Sequence, residues 1–278
     1  MHPRHSNLKL LTYNIHKGFS AGNGRFVLRQ IREALAYTAA DLVCLQEIQG
    51  EHVGRQRRVG GWPDETQIEY LAAGTWPHHA YGKNAVYEAG HHGNAILSKH
   101  PISYWENINV ANSRLASRSV LHAVIELPGG APALHVICIH FGLTGPERRR
   151  QFTVLKQRVL AEVPQQAPLV IAGDFNDWNR EAEWRMRAGL GLQDVFVSLN
   201  QRPANTYPAW YPVLPVDRIF YRGVRPLSCR CLKDLPWRRL SDHAPLLASF
   251  AVDEPPRNAL PLPAVGEGSR RWSNTRSI

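Results

Sequence analysis

The chain has 278 residues, 44% of them hydrophobic, which is enough for one large core or two modest ones. No run approaches the roughly 20 apolar residues of a membrane-spanning helix, and no apolar leader of the secretory kind precedes the first predicted strand, so the expectation is a soluble, cytoplasmic domain. The formal charge is +10, and about +9 of it falls outside the segment 253–278, where four arginines face three acids; such a bias favours polyanions, nucleic acid or anionic lipid headgroups.

Arginine outnumbers lysine 27 to 6, which suits bidentate phosphate recognition, although a biased genome gives the same excess. The cysteines, Cys44, Cys138, Cys229 and Cys231, fall in or beside predicted strands without the paired spacing of a zinc cage. They read as reduced core thiols.

In chain order, an alternating strand is predicted over 8–15, a helix over 26–38 with apolar residues at helical spacing, and a second strand over 41–46. This is a β-α-β opening. Trp62-Pro-Asp-Glu65 reads as a helix start leading into Ile68, Tyr70 and Leu71. Strands follow over 94–97, 102–110, 119–127 and 133–140. A helix over 147–163 with Phe152, Leu155, Val159 and Val163 on one face precedes a strand over 169–172. The remainder reads as a short helix over 181–188 and strands over 218–221, 229–232 and 246–250. Hairpins in the middle with helices at intervals argue for an α/β fold of two mixed sheets packed face to face with helices outside. Residues 1–252 form one catalytic domain in this reading, and 253–278, bearing several prolines and few apolar groups, is a mobile tail.

Polar residues recur where these apolar runs end: Asn14 in Leu11-Thr-Tyr-Asn-Ile15, Glu47 after Leu45-Gln, His140 after Ile139, Asp174 and Asn176 in Ile171-Ala-Gly-Asp-Phe-Asn176, Asp217 in Val216-Asp-Arg-Ile219, and Asp242 and His243 after Ser241. Strand ends thus deliver carboxylates, carboxamides and imidazoles to one rim, a catalytic layout. A carboxylate such as Glu47 at the mouth of two sheets can hold Mg²⁺ or Mn²⁺, which take oxygen ligands. Asp174, directly after an apolar run, can take a proton from a water nucleophile while the Asn176 amide orients a phosphoryl oxygen.

From about Lys9 to Phe250 these motifs resemble the endonuclease/exonuclease/phosphatase superfamily, whose members include pancreatic deoxyribonuclease, abasic-site endonucleases, sphingomyelinases and inositol-polyphosphate phosphatases. The resemblance implies a four-layer α/β sandwich and a divalent-metal-dependent phosphoric ester hydrolase. It implies metal contacts at Glu47, Asn14 and Asp242, water activation at Asp174 with Asn176, and phosphate binding at His140 and His243, the latter oriented by Asp217. Arg118 resembles a phosphate-contacting arginine, with Arg114 as its rival, and His91 and His92 occupy a region where relatives contact phosphate. Cleavage of DNA or RNA leads this reading. A phospholipid or small-molecule phosphodiesterase or phosphatase is the alternative, because bacterial relatives with Asn-Ile-His-Lys-Gly, here Asn14 to Gly18, share the core without clear nucleic-acid modules. No protein partner is implied.

Overall fold

A computed structural model describes residues 5–87, 90–110 and 118–253. Arg114 and nearly all of the predicted tail, 254–278, lie outside the described residues. Among the described residues two six-stranded sheets form. The first holds β1 (His5–Asn14), β2 (Leu42–His52), β3 (His78–Tyr87), β4 (Gly90–Ser98), β11 (Arg225–Cys231) and β12 (Leu246–Asp253), ordered β11-β12-β1-β2-β4-β3. The second holds β5 (Ile102–Asn109), β6 (Ser119–Ile125), β7 (Leu134–His140), β8 (Leu169–Asp174), β9 (Gln193–Asp194) and β10 (Asp217–Arg222), ordered β5-β6-β7-β8-β10-β9. Parallel pairing at β1–β2 and β7–β8 beside antiparallel neighbours makes both sheets mixed, as expected.

Alternation along the strands builds the layers. Leu10 of β1, Cys44 of β2, Cys138 of β7, Ala172 of β8 and Ile219 of β10 meet in the core between the sheets. Their alternates face outward. Leu11, Val43 and Leu45 pack under α1 (Leu28–Tyr37) and α3 (Gln67–Ala72), whereas Ile139 and Ile171 pack under α4 (Gly145–Glu162) and α5 (Glu181–Leu190). The result is helix, sheet, sheet, helix.

Four elements escape the sequence pattern, among them the two-residue β9. β3 is an edge strand in which Gly82, Lys83 and Asn84 interrupt the apolar alternation. α2 (Val53–Arg58) is arginine-rich, and α6 (Val195–Asn200) is a six-residue helix capped by Asp194, whose carboxylate accepts from the Phe196 and Val197 amides. β4 also begins at Gly90, so His91 and His92 are strand residues and not loop residues.

Gly173 precedes Asp174 with φ +147°, and a Cβ there would stand 2.0 Å from the Ile139 carbonyl oxygen on the adjoining strand. Gly173→Ala is expected to cost about 2–4 kcal/mol through clash and backbone strain, as urea unfolding would report. Unchanged stability would show that β8 can move away from β7.

Candidate active site

The register of the second sheet sets His140 beside Asp174 and Asp174 beside Asp217. Each lies two residues from a core position, Cys138, Ala172 and Ile219, so the inward row that is apolar in the centre becomes polar at one rim. β1 does the same from the other sheet: Leu10 is core, and Thr12 and Asn14 continue its row, both buried.

Asn14 Nδ2 donates across the gap to Asp174 Oδ2 at 3.1 Å and lies 3.4 Å from Glu47 Oε1. Its side-chain Oδ1 accepts the His16 backbone N–H at 3.1 Å, which orients the amide. Asn14 therefore presents donors to the two carboxylates, where the resemblance implies a metal contact.

Glu47 departs from alternation. The register of β2 slips between Leu45 and Ile48, and Ile48 packs on the outer face with Val43 and Leu45, a parity that regular pleating would give to residue 47. The extra residue is Glu47 itself, at φ +56°. Such a bulge re-aims the side chain and holds backbone strain of about 1–3 kcal/mol. Lys17 Nζ donates to Glu47 Oε2 at 2.8 Å. Burial would raise the Glu47 pKa, but the His140 ring, cationic in the acid range where a carboxyl titrates, and the Lys17 ammonium outweigh it and hold the carboxyl well below the usual carboxylate range.

Two histidines flank Asp174 in opposite states. Burial alone would depress His243, but Asp217 and Asp174 override it and lift its pKa to about 10; Nδ1 is 2.8 Å from Asp217 Oδ2 and Nε2 is 3.8 Å from Asp174 Oδ2. His243 is an imidazolium at neutral pH. His140 is pushed down to about 4, first by burial and then by Arg118, so it is neutral. Because the Arg118 Nη1 at 3.4 Å can only donate, His140 Nδ1 is the acceptor, and Nε2 carries the proton 3.4 Å from Asp174 Oδ2. Asp174 itself is raised, by burial against the opposing pull of the His243 cation and, less, of the His140 ring. Its Oδ1 accepts the Asn176 backbone N–H at 2.9 Å.

Asn176 has φ +47°, and its Nδ2 donates to the Phe141 carbonyl at 2.9 Å, which pins the loop leaving β8. Ser241 Oγ donates to the Asn14 carbonyl at 2.7 Å, tying the segment before His243 to β1. Asp242 Oδ1 lies 3.3 Å from His16 Nδ1. Glu47, Arg118, His140, Asp174, Asn176, Asp242 and His243 line one cleft of about 310 Å³, with Trp178 and Tyr207 among its walls. Asn14 and Asp217 hold these residues by the bonds described.

The remaining two predicted residues do not line it. His91 bonds Tyr81 Oη through Nδ1 at 2.9 Å and packs so closely on Gly50 that a Cβ there would meet its ring at 1.9 Å. His92, half-buried, is pushed down to about 4 by burial and then by Lys17, and it feels the charges of Glu47 and Arg118 without facing the cleft. Sequence reasoning missed His16 and Lys17 as site residues. Their signal is the run Asn14-Ile-His-Lys-Gly18, in which His16 and Lys17 both take positive φ.

Asp174, Asp217 and His243 offer ligand atoms within 4.8 Å of one another. Since Asp217 accepts the hydrogen bond of His243 Nδ1–H and the ring is a cation, this trio is an ion-paired cluster and a poor cage for a metal. Glu47 and Asp242 present carboxylates to the same cleft.

Two mixed sheets with this rim define a member of the Endonuclease/Exonuclease/phosphatase family, whose model matches residues 11–243, and the chain belongs to that family. It is 43% identical over 244 residues to Uncharacterized protein YbhP of Escherichia coli (strain K12), covering 88% of this chain and 96% of YbhP. Its fold is similar to an endonuclease/exonuclease/phosphatase from Beutenbergia cavernae, with a TM-score of 0.74 at 22% identity over 90% of this chain and 72% of that one. It is also similar to D. rerio TDP2 complexed with a single-strand DNA product, with a TM-score of 0.63 at 22% identity over 88% of this chain and 99% of that one.

The folded-state pKa of His243 stands above the unfolded value of about 6.5, so the stabilisation by its cation is complete below about pH 6.5 and is lost as pH rises through about 10. The unfolding free-energy gap between the wild type and His243→Gln, measured in urea with EDTA, should be largest near pH 6 and shrink toward pH 10. A gap that does not change over this interval would refute the paired imidazolium.

Proposed function

We propose that the chain is a divalent-metal-dependent phosphodiesterase that hydrolyses nucleic-acid phosphodiester bonds by in-line attack of water. The observation that carries this reading is the pair of opposed histidines on one raised carboxylate, facing a cleft that also holds Glu47 and Asp242. Asp174 accepts the proton of the attacking water, which its raised affinity favours. The His243 cation and Arg118 stabilise the charge that grows on the phosphoryl oxygens, and Asp217 fixes His243 as that cation. His140 donates toward Asp174 and keeps its carboxylate aimed.

The ion itself would be Mg²⁺ or Mn²⁺, held by Glu47 and Asp242. Their donors are hard oxygens, and Glu47 already accepts a cationic side chain, Lys17, at 2.8 Å. When bound, the ion polarises the phosphate ester. The positive charge of the chain and the flat walls Trp178 and Tyr207 support nucleic acid as substrate.

A second reading, a phospholipid or other small phosphoester as substrate, is favoured by Trp210, Tyr211 and Val213, 70%, 65% and 50% exposed, on the segment that forms one cleft wall. Amphipathic rings placed so can enter a lipid interface. Among the described residues no helix is long and apolar enough to cross a membrane.

Activity on nucleic acid should require Mg²⁺ or Mn²⁺ and vanish with EDTA, and Glu47→Gln should raise the metal concentration giving half activity. Turnover that survives exhaustive chelation would remove the metal from the mechanism. Asp174→Asn is expected to lower turnover by about 10²–10⁴ while circular dichroism shows the fold retained, with some fall in melting temperature because one member of a buried charge cluster is removed. A folded variant that loses less than about tenfold demotes Asp174 to a structural group. Turnover of a phospholipid diester with no cleavage of DNA or RNA would transfer the assignment to the second reading.

A further inference from the structure

A second cavity, of about 690 Å³, opens on the far side of the segment 203–216 from the catalytic cleft. Tyr207 and Leu214 of that segment line the cleft, while its Asn205 and Pro212 line the second cavity. The loop after β8 is shared in the same way, with Asn176 and Trp178 toward the cleft and Arg180 toward the cavity. The two spaces therefore have common walls.

The cavity is cationic. Arg180, Arg202 and Lys233 line it with no carboxylate among the lining residues, and among the described residues none of the three forms a salt bridge. Two thiols of β11 complete the lining, Cys229, which accepts from Asn200 Nδ2 at 3.2 Å, and Cys231. Burial and then the Asp217 charge push the Cys231 thiol up to about 12, so it is neutral and lies close behind the His243–Asp217 pair. Three cations around an uncharged floor favour a bound anion more than the same cations spread over an open surface.

We propose that this cavity is a second phosphate subsite that holds a single strand of nucleic acid whose scissile phosphodiester lies in the catalytic cleft. The assignment rests on the phosphodiesterase reading given above. A polymer with one phosphate per residue presents a second anion at a fixed distance from the first, which a headgroup with a single phosphate does not. The same segment exposes Trp210 and Tyr211, flat faces on which unpaired bases stack irrespective of sequence.

The test is the triple variant Arg180→Gln, Arg202→Gln, Lys233→Gln, all exposed positions, with circular dichroism as the folding control. Hydrolysis of a single-stranded oligonucleotide of about 12 nucleotides is compared with that of bis-p-nitrophenyl phosphate, and binding of the same labelled oligonucleotide is followed against salt in EDTA. KM for the oligonucleotide should rise roughly tenfold or more while kcat/KM for the small diester stays within about twofold. The log–log salt slope should flatten by about 0.7 for each phosphate released. Equal loss on both substrates, or loss on neither, overturns the subsite. If the wild type hydrolyses no oligonucleotide, the phosphodiesterase reading fails, but the binding arm still decides: weaker, flatter binding in the variant upholds the cavity as a strand site. Unchanged oligonucleotide binding overturns it, as does loss confined to vesicles containing phosphatidylglycerol.

Discussion

Asp174 is a carboxylate buried between two sheets, and the surroundings of the site follow from the need to tolerate it there. An isolated charge at such depth would cost several kcal/mol, and removing one member of a buried charge pair typically costs about 3–5 kcal/mol. The chain surrounds Asp174 with the His243 cation, the His140 N–H, the Asn14 amide and the Asn176 backbone N–H, drawn from both sheets and from two loops. The same groups bracket the place where a phosphate would enter. Compensation of the carboxylate and assembly of the cleft are thus one structural problem with one solution.

A second buried charge cluster supports the loops behind that cleft. Arg218, next to Asp217 on β10, donates from Nη1 to Asp194 Oδ2 at 2.9 Å and places Nη2 3.7 Å from Asp177 Oδ2. Asp177 receives the Glu181 and Ala182 amides at the start of α5, while Asp194 caps α6. One arginine therefore joins the loop that carries Asn176 and Trp178 to the helix whose Phe196 and Asn200 line the second cavity. Each aspartate serves a helix start, where negative charge is favoured, and also neutralises the guanidinium.

Much of this was legible because a two-residue period ties chemistry to packing. Once 169–172 reads as a buried strand, Asp174 must stand at its end, and the same logic places His140 and Asp217 on neighbouring strands. What escaped reading depends on backbone that breaks the period. The sequence places Glu47 at the rim, but the bulge that aims it into the cleft, an extra residue of β2 in a left-handed conformation, has no signal in Leu45-Gln-Glu47. His16 and Lys17 reach the site through two further positive φ angles. The amide of Asn14 could have turned either way; the His16 N–H two residues on decides it. The predicted strand over 94–97 stops short of His91 and His92 because β3, their partner strand, carries too many polar residues to announce itself.

The position of β12 bears on how the protein is made. It lies between β11 and β1, inside the first sheet, although it is the last strand of the described chain. Until about residue 250 has left the ribosome, β1 has no antiparallel neighbour on that side and presents an open row of amides and carbonyls, and the segment with Ser241 and His243 is absent from the rim. The nascent chain can collapse its β-α-β opening early, but the first sheet closes late, through contacts of high sequence separation. Assembly of the site is therefore coupled to synthesis of the chain through β12: a product truncated before Ser241 would expose an adhesive sheet edge and lack the imidazolium, making it a substrate for quality control and not a partly active hydrolase.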